Sequence, residues 1–166
     1  MSLPQKVQDL VQFDTVRFGG IEVHEDKIIC FVQGIPGFKR LRRFIMIDHD
    51  AEGMFKWLQS VENPAVAFLL TSPNAYKPGY TVPLKKSEAE GLGVKDAQNL
   101  VIMVIVCVSK DNEISLNLKG PVLFNSENMS AIQCIVDRED YPSHFVIKGA
   151  AQATENPLAA PSPLLK

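Results

Sequence analysis

Leu100-Val-Ile-Met-Val-Ile-Val-Cys-Val108 is an unbroken apolar run made mostly of β-branched residues. It is far shorter than the ~20 residues that a membrane-crossing helix needs. Branching at Cβ favours an extended backbone over a helical one. A continuous apolar strand, without alternation, is expected where both of its faces are covered. The run therefore predicts a buried central strand. Outward from it, Phe44 to Ile47 and Val66 to Leu70 have the same character. Ile114-Ser-Leu-Asn-Leu118 and Met129-Ser-Ala-Ile-Gln-Cys134 alternate more, as strands with one wet face do. Ile21, Val23 and Ile28 to Val32 flank a polar His24-Glu-Asp-Lys27 corner, which predicts a hairpin over 16–32. The expected architecture is mainly β, a small antiparallel domain over residues 15–148. It should close into a barrel-like fold or stack as a sandwich to hide its edges.

Helix is expected in one or two short pieces. Residues 84–92 carry Ser87, Glu88 and Glu90 ahead of Gly91 and Gly93, which end a helix quickly. Phe55-Lys-Trp57-Leu58-Gln59 has the spacing of a second single turn. Residues 1–14 read as an N-terminal extension. Residues 149–166, rich in Ala and Pro with no aromatic, read as a flexible tail.

The 166 residues are 46% apolar and 22% charged, with net charge −2. A strongly basic nucleic-acid-binding domain is not what this balance describes. Cys30, Cys107 and Cys134 form no CxxC pair and suit a reducing compartment, each as a small core hydrophobe, with Cys107 inert inside its strand. The N-terminal Met1-Ser-Leu-Pro-Gln has no apolar signal core, so a cytoplasmic protein with no membrane association is expected.

The sequence offers no nucleophile elbow, no catalytic-cysteine signature and no phosphate loop, so it is not read as an enzyme. His24, His49 and His144 are isolated from each other and from the cysteines, and neither a metal nor a cofactor is expected. Asp48-His49-Asp50 reads as a solvated turn after a strand. Gly34-Ile-Pro36-Gly37 makes a rigid turn. Lys39, Arg40, Arg42 and Arg43 concentrate positive charge, but without the aromatic platform of a single-strand binder they read as a solvated loop; an RNA-binding module is the least favoured reading. Asp137, Glu139 and Asp140, with Glu22, Glu25 and Asp26, are acidic stretches suited to a basic partner.

Arg17-Phe18-Gly19, Gly34-Ile35-Pro36-Gly37-Phe38, Arg43-Phe44, Trp57-Leu58-Gln59-Ser60, Asn63-Pro64, Ala67-Phe68, Pro73 and Leu92-Gly93-Val94, in this order and spacing, resemble the bacterial flagellar assembly factor family, FliW. The likeness runs from about Arg17 to Tyr141. It implies a small, barrel-like, non-enzymatic cytoplasmic protein, monomeric when free, that binds newly made flagellin and the translational repressor CsrA in turn. Binding CsrA would relieve its repression of flagellin translation. The alternative is a flagellin export chaperone with no regulatory role. In this frame Gly34, Pro36, Gly37, Pro64 and Phe68 are turn or core residues. Phe38 and Trp57 are core-rim aromatics or partner anchors. Gln59 and Ser60, harder to explain by packing, are candidate contacts, and Asp137, Glu139 and Asp140 are the expected CsrA-facing acids.

Overall fold

A computed structural model of the protein describes residues 9–148. The expected tail at 149–166 and the first eight residues of the expected extension lie outside the described residues. The strands are β1 Leu10–Thr15, β2 Gly19–His24, β3 Ile29–Phe31, β4 Arg43–Asp48, β5 Phe55–Ser60, β6 Ala67–Thr71, β7 Leu100–Val108, β8 Ile114–Leu116, β9 Val122–Asn125, β10 Ser130–Gln133 and β11 Phe145–Lys148. Among the described residues one α-helix, α1 Lys86–Leu92, stands between β6 and β7, flanked by 3₁₀ turns at Pro73–Ala75 and Ala97–Asn99.

The apolar run is β7, and it is the pivot of the fold. Leu100 to Met103 pair with β9, Val104 and Ile105 with β6, and Val106 to Val108 with β8. By bridging β6 and β9 it closes a seven-stranded barrel in the order β7-β6-β5-β4-β3-β10-β9. Closure removes the edges that an open antiparallel sheet would expose. The single parallel pairing, Cys30 with Ser130 and Phe31 with Ala131, joins β3 to β10. Beyond the ring, β8 and β11 continue the sheet from the far end of β7.

Each barrel strand sends at least one apolar side chain inward. Ile29, Phe31, Phe44, Leu58, Leu70, Met103, Val122, Phe124 and Ala131 form one buried cluster, plugged by Ile35. Phe31 meets Phe44 and Phe124 edge-on at 5.1 and 6.1 Å, the preferred geometry for aromatic pairs. Outside the barrel wall, Val104 and Val106 pack with Phe55, Ile114, Leu116, Tyr80 and Tyr141. The two tyrosine rings stack at 4.4 Å, and Tyr80 Oη donates to the Leu118 carbonyl at 2.6 Å. A third cluster places Leu92 of α1 on Leu123, Ile132 and Cys134. Burial, helped by nearby Glu88, pushes the Cys134 thiol up to about 12. The helix starts with the Lys85 N–H donating to the Glu88 carboxylate and stops at Gly93, whose φ of 66° places it in the left-handed region.

The structure corrects several expectations. The first hairpin pairs β1 with β2, Leu10 opposite His24, so it covers residues 10–24 rather than 16–32. Residues 10–14, read as extension, are therefore strand, while β3 leaves the hairpin for the barrel. Phe55-Lys-Trp57-Leu58-Gln59 is β5, not a helical turn, because Leu58 faces the barrel core and Phe55 and Trp57 the outer cluster. Ile114 to Leu116 are all buried, since β8 lies between β7 and β11. β7 is covered only in its middle: Val101, Cys107 and Val108 are exposed. Cys30 is exposed too, so of the three thiols only Cys134 is buried.

Candidate partner-binding surface

The turn leaving β3 is held by its glycines. Gly34 has φ of 69°, and a Cβ there would lie 2.6 Å from the Lys39 carbonyl oxygen, so no larger residue fits. Ile35 is buried in the barrel mouth while the Phe38 N–H donates to its carbonyl at 2.7 Å. The chain thus reverses around Pro36 and Gly37 and presents Phe38, 40% exposed, edge-on to Phe68 at 5.4 Å. Phe68 in turn meets Phe44 at 6.3 Å. Phe38 is the outer end of an aromatic series that reaches the core. Beside it runs a groove lined by Ile35, Pro36, Phe68, Ile105 and Ile135, with polar Asn117, Lys119 and Gln133 among them. Ile135 is 61% exposed. It was missed in the sequence; its only signal is an apolar side chain on the opposite parity from buried Cys134 and Val136.

Trp57 is half-buried and already occupied. The Arg17 guanidinium lies 4.0 Å over its ring, Phe18 meets it edge-on at 6.3 Å, and its Nε1 donates to His49 Nδ1 at 3.1 Å. Partial burial lowers the Arg17 pKa from its ordinary value. The Val16 N–H donates to the Pro64 carbonyl at 2.9 Å. Trp57 and Pro64 therefore fasten the tip of the first hairpin to the barrel, a role the sequence did not disclose. For Arg17 the only available signal was its place in the Arg-Phe-Gly motif.

Gln59 and Ser60 are wholly buried, which corrects their reading as surface contacts. Ser60 Oγ accepts from the backbone N–H groups of Glu62 and Asn63 at 3.1 and 2.9 Å. Gln59 Nε2 donates to the carbonyls of Ser60, Pro64 and Val66 at 3.0, 3.3 and 3.1 Å. Both side chains shape the β5 to β6 turn from inside, as polar residues do where a tight turn leaves backbone groups unpaired.

Asp137, Glu139 and Asp140 are exposed, but Arg138 stands among them. Its guanidinium bonds Asp140 through two N–H groups at 2.9 and 2.8 Å and lies 4.4 Å over the Tyr141 ring. The hydrogen bond from Arg138 holds the Asp140 carboxyl below the ordinary carboxylate range. Asp140 is thus a neutralised member of the acidic stretch. The basic run is similarly engaged: Glu62 accepts from the Arg42 and Arg43 backbone and lies 3.8 Å from Arg43 Nε. Asp48 pairs with Lys56 at 2.6 Å, and Asp50 accepts from the Met54 N–H, so the Asp-His-Asp segment is engaged in its own turn. Among the described residues no group of three or more His, Cys, Asp or Glu gathers as metal ligands.

Fold and surface define a small closed β-barrel protein whose surface, among the described residues, carries the groove beside Phe38, a second and more apolar groove between the first hairpin and β4 lined by Phe18, Ile21, Val23, Ile45, Ile47 and Met129, and charged corners. A family model described as FliW protein matches residues 12–147. The flagellar assembly factor FliW of Caldanaerobacter subterraneus subsp. tengcongensis is 40% identical over 133 residues, 79% of this chain and 89% of that protein. That of Thermoanaerobacter pseudethanolicus is 38% identical over the same shares. A crystal structure of the flagellar assembly factor FliW matches with a TM-score of 0.74 and 32% identity, over 82% of this chain and 96% of that one. The chain belongs to the FliW family of flagellar assembly factors. No helix among the described residues is long and apolar enough to cross a membrane.

Proposed function

We propose that this protein is a cytoplasmic, non-enzymatic regulator of flagellum assembly, monomeric when free, that binds flagellin and the repressor CsrA alternately. The observation that carries the reading is the groove at the Gly-Ile-Pro-Gly-Phe turn, where Phe38 and Ile135 stay exposed beside Ile35, Phe68 and Ile105. An unpolymerised flagellin keeps apolar helical faces that need such a groove until export. CsrA, being basic, would be drawn to Asp137 and Glu139 by complementary potential.

Titration of each partner at ~50 and ~300 mM salt tests the assignment, because exposed charges are screened over that range. Flagellin affinity should change little and be lost in Phe38→Asp. CsrA affinity should fall with salt and in Asp137→Lys. Excess flagellin should release CsrA, since two mutually exclusive ligands oppose each other reciprocally. CsrA binding that is unaltered under saturating flagellin overturns the switch. The pairing of Arg138 with Asp140 removes one charge from the acidic corner, and this favours a flagellin chaperone without regulatory role as the second reading.

A further inference from the structure

The groove between the first hairpin and the barrel wall encloses about 440 Å³. Ile29 and Ile45 are its buried floor, and half-buried Ile21 and Val23 face Ile47 and Met129 as its walls. Met46 and Met129 give it the adaptable lining of a surface that takes up peptides. It is lined from β2 and not from β1, so it opens on the side of β2 away from its partner strand. β2 pairs with β1 alone, and its other edge carries no ladder among the described residues. The Glu25 N–H donates to the Asp9 carbonyl at 2.7 Å, which makes these two a hydrogen-bonded pair just beyond Leu10 and His24. Bonded and non-bonded pairs alternate along an antiparallel ribbon. Val23 and Ile21 therefore bond β1, whereas Glu22 and His24, both exposed, turn their backbone groups to the free edge. At the end of β2 the groove shares Lys27 with a corner formed by Asp9, His24, Glu25 and Asp26. Those three carboxylates form no ion pair among the described residues.

We propose that this edge and groove together bind an extended segment of a protein partner, added as a strand antiparallel to β2, with alternate apolar side chains in the groove and Lys or Arg at its N-terminal end. In strand addition the main-chain bonds supply affinity and pockets for alternate side chains supply specificity. β2 runs toward the acidic corner, so the N-terminal end of an antiparallel partner lies there, where three carboxylates outweigh Lys27. A helix would fill the groove but leave the edge of β2 unpaired. A second copy of this chain would bring its Arg17 to the corner, but that guanidinium already covers Trp57. The groove shares no lining residue with the one beside Phe38, so it is a site separate from the proposed flagellin groove.

The probe is acetyl-Lys-Lys-Val-Ser-Ile-Ser-Val-Gly-amide, titrated into the isotopically labelled full chain and followed by NMR. The expected result is a saturable shift at Ile21, Val23 and Met129, with hydrogen exchange at the Glu22 and His24 amides slowed about tenfold or more. Of two probes N-methylated at alternate residues, one should bind and the other fail, because only every second amide faces β2. Replacing the two probe lysines by glutamates should weaken binding about five- to tenfold at low salt. Glu25→Lys combined with Asp26→Lys, both exposed and outside the strand, should reverse that preference. Equal binding of the two N-methylated probes, an equal response to a helix-forming peptide of the same composition, or no shift at any concentration would each overturn the proposal. So would slow exchange at Glu22 and His24 in the free chain through dimerisation.

Discussion

The barrel and the first hairpin are written in the same alphabet of β-branched and aromatic residues, yet they are held in different ways. In the barrel every strand contributes to one interior, and Phe44, Leu58, Leu70 and Val122 are wholly buried. In the hairpin, Val11 pairs with Val23 and Phe13 with Ile21, but these side chains are only half-buried and Thr15 alone is fully covered. A two-stranded ribbon is marginal in water by itself. Its order comes from the tip, where Arg17 and Phe18 close on Trp57 and Val16 bonds Pro64. The barrel is stable through its centre and the hairpin through its point of attachment.

The harshest way to break that contrast is Phe44→Ala. It empties the site between Phe31 and Phe68 and should cost about 3–5 kcal/mol, a large share of a typical 5–15 kcal/mol stability. The midpoint of urea unfolding reads it, and a shift worth less than ~1 kcal/mol would mean that the interior repacks around the loss. Next in size, Trp57→Leu should remove about 1–2 kcal/mol of attachment through its aromatic and cation contacts. Hydrogen exchange should accelerate at the amides of β1 and β2 and stay slow at Phe44 and Leu58. If the barrel amides speed up in step, hairpin and barrel are one cooperative unit.

The smallest effect asks which of the two the α1 side resembles. The Cys134 thiol stays protonated in the fold up to about 12, whereas an ordinary thiol, as in the unfolded chain, loses its proton near 9.0. Its contribution is therefore fully present below pH 9 and is lost as pH rises from there to 12, by at most about 1.4 kcal/mol per pH unit. Comparing urea midpoints at pH 8 and pH 10, the wild type should lose more stability than Cys134→Ala. Tyr80, also raised by burial, leaves a residual slope in both. Identical slopes would mean that α1 opens readily, as the hairpin is expected to do once Trp57 is lost.

Strands β4, β6 and β7 are legible in the sequence because a barrel wall clad on its outer side produces continuous apolar runs. The same cladding hid β5, where apolar residues on both faces left Phe55, Trp57 and Leu58 at a helical spacing. The sequence points to a hairpin that lies too late in the chain because Ile28 to Val32 looks like the partner of Ile21 and Val23, and only long-range pairing assigns β3 to β4 and β10. At the surface, the glycine turn follows from the motif, but the motif leaves Phe38 open between core rim and exposed anchor, and only the fold shows it exposed. The burial of Gln59 and Ser60 was illegible, since polar side chains that bond an adjacent turn look the same in a sequence as polar side chains that face water. Likewise, nothing in an acidic stretch discloses that Arg138 will fold back on Asp140 alone.

The parallel seam between β3 and β10 has a temporal meaning. It joins Cys30 to Ser130, positions one hundred apart in the chain. A ribosome releases the N-terminal side first, so β3 to β6 are complete long before their closing partner exists. Until β10 has emerged, β3 offers an open backbone edge in a half-made sheet, and long loops of this kind close slowly. The seam belongs to the last of the seven barrel strands to be made, and the nascent barrel stays an unsealed ribbon until β10 appears.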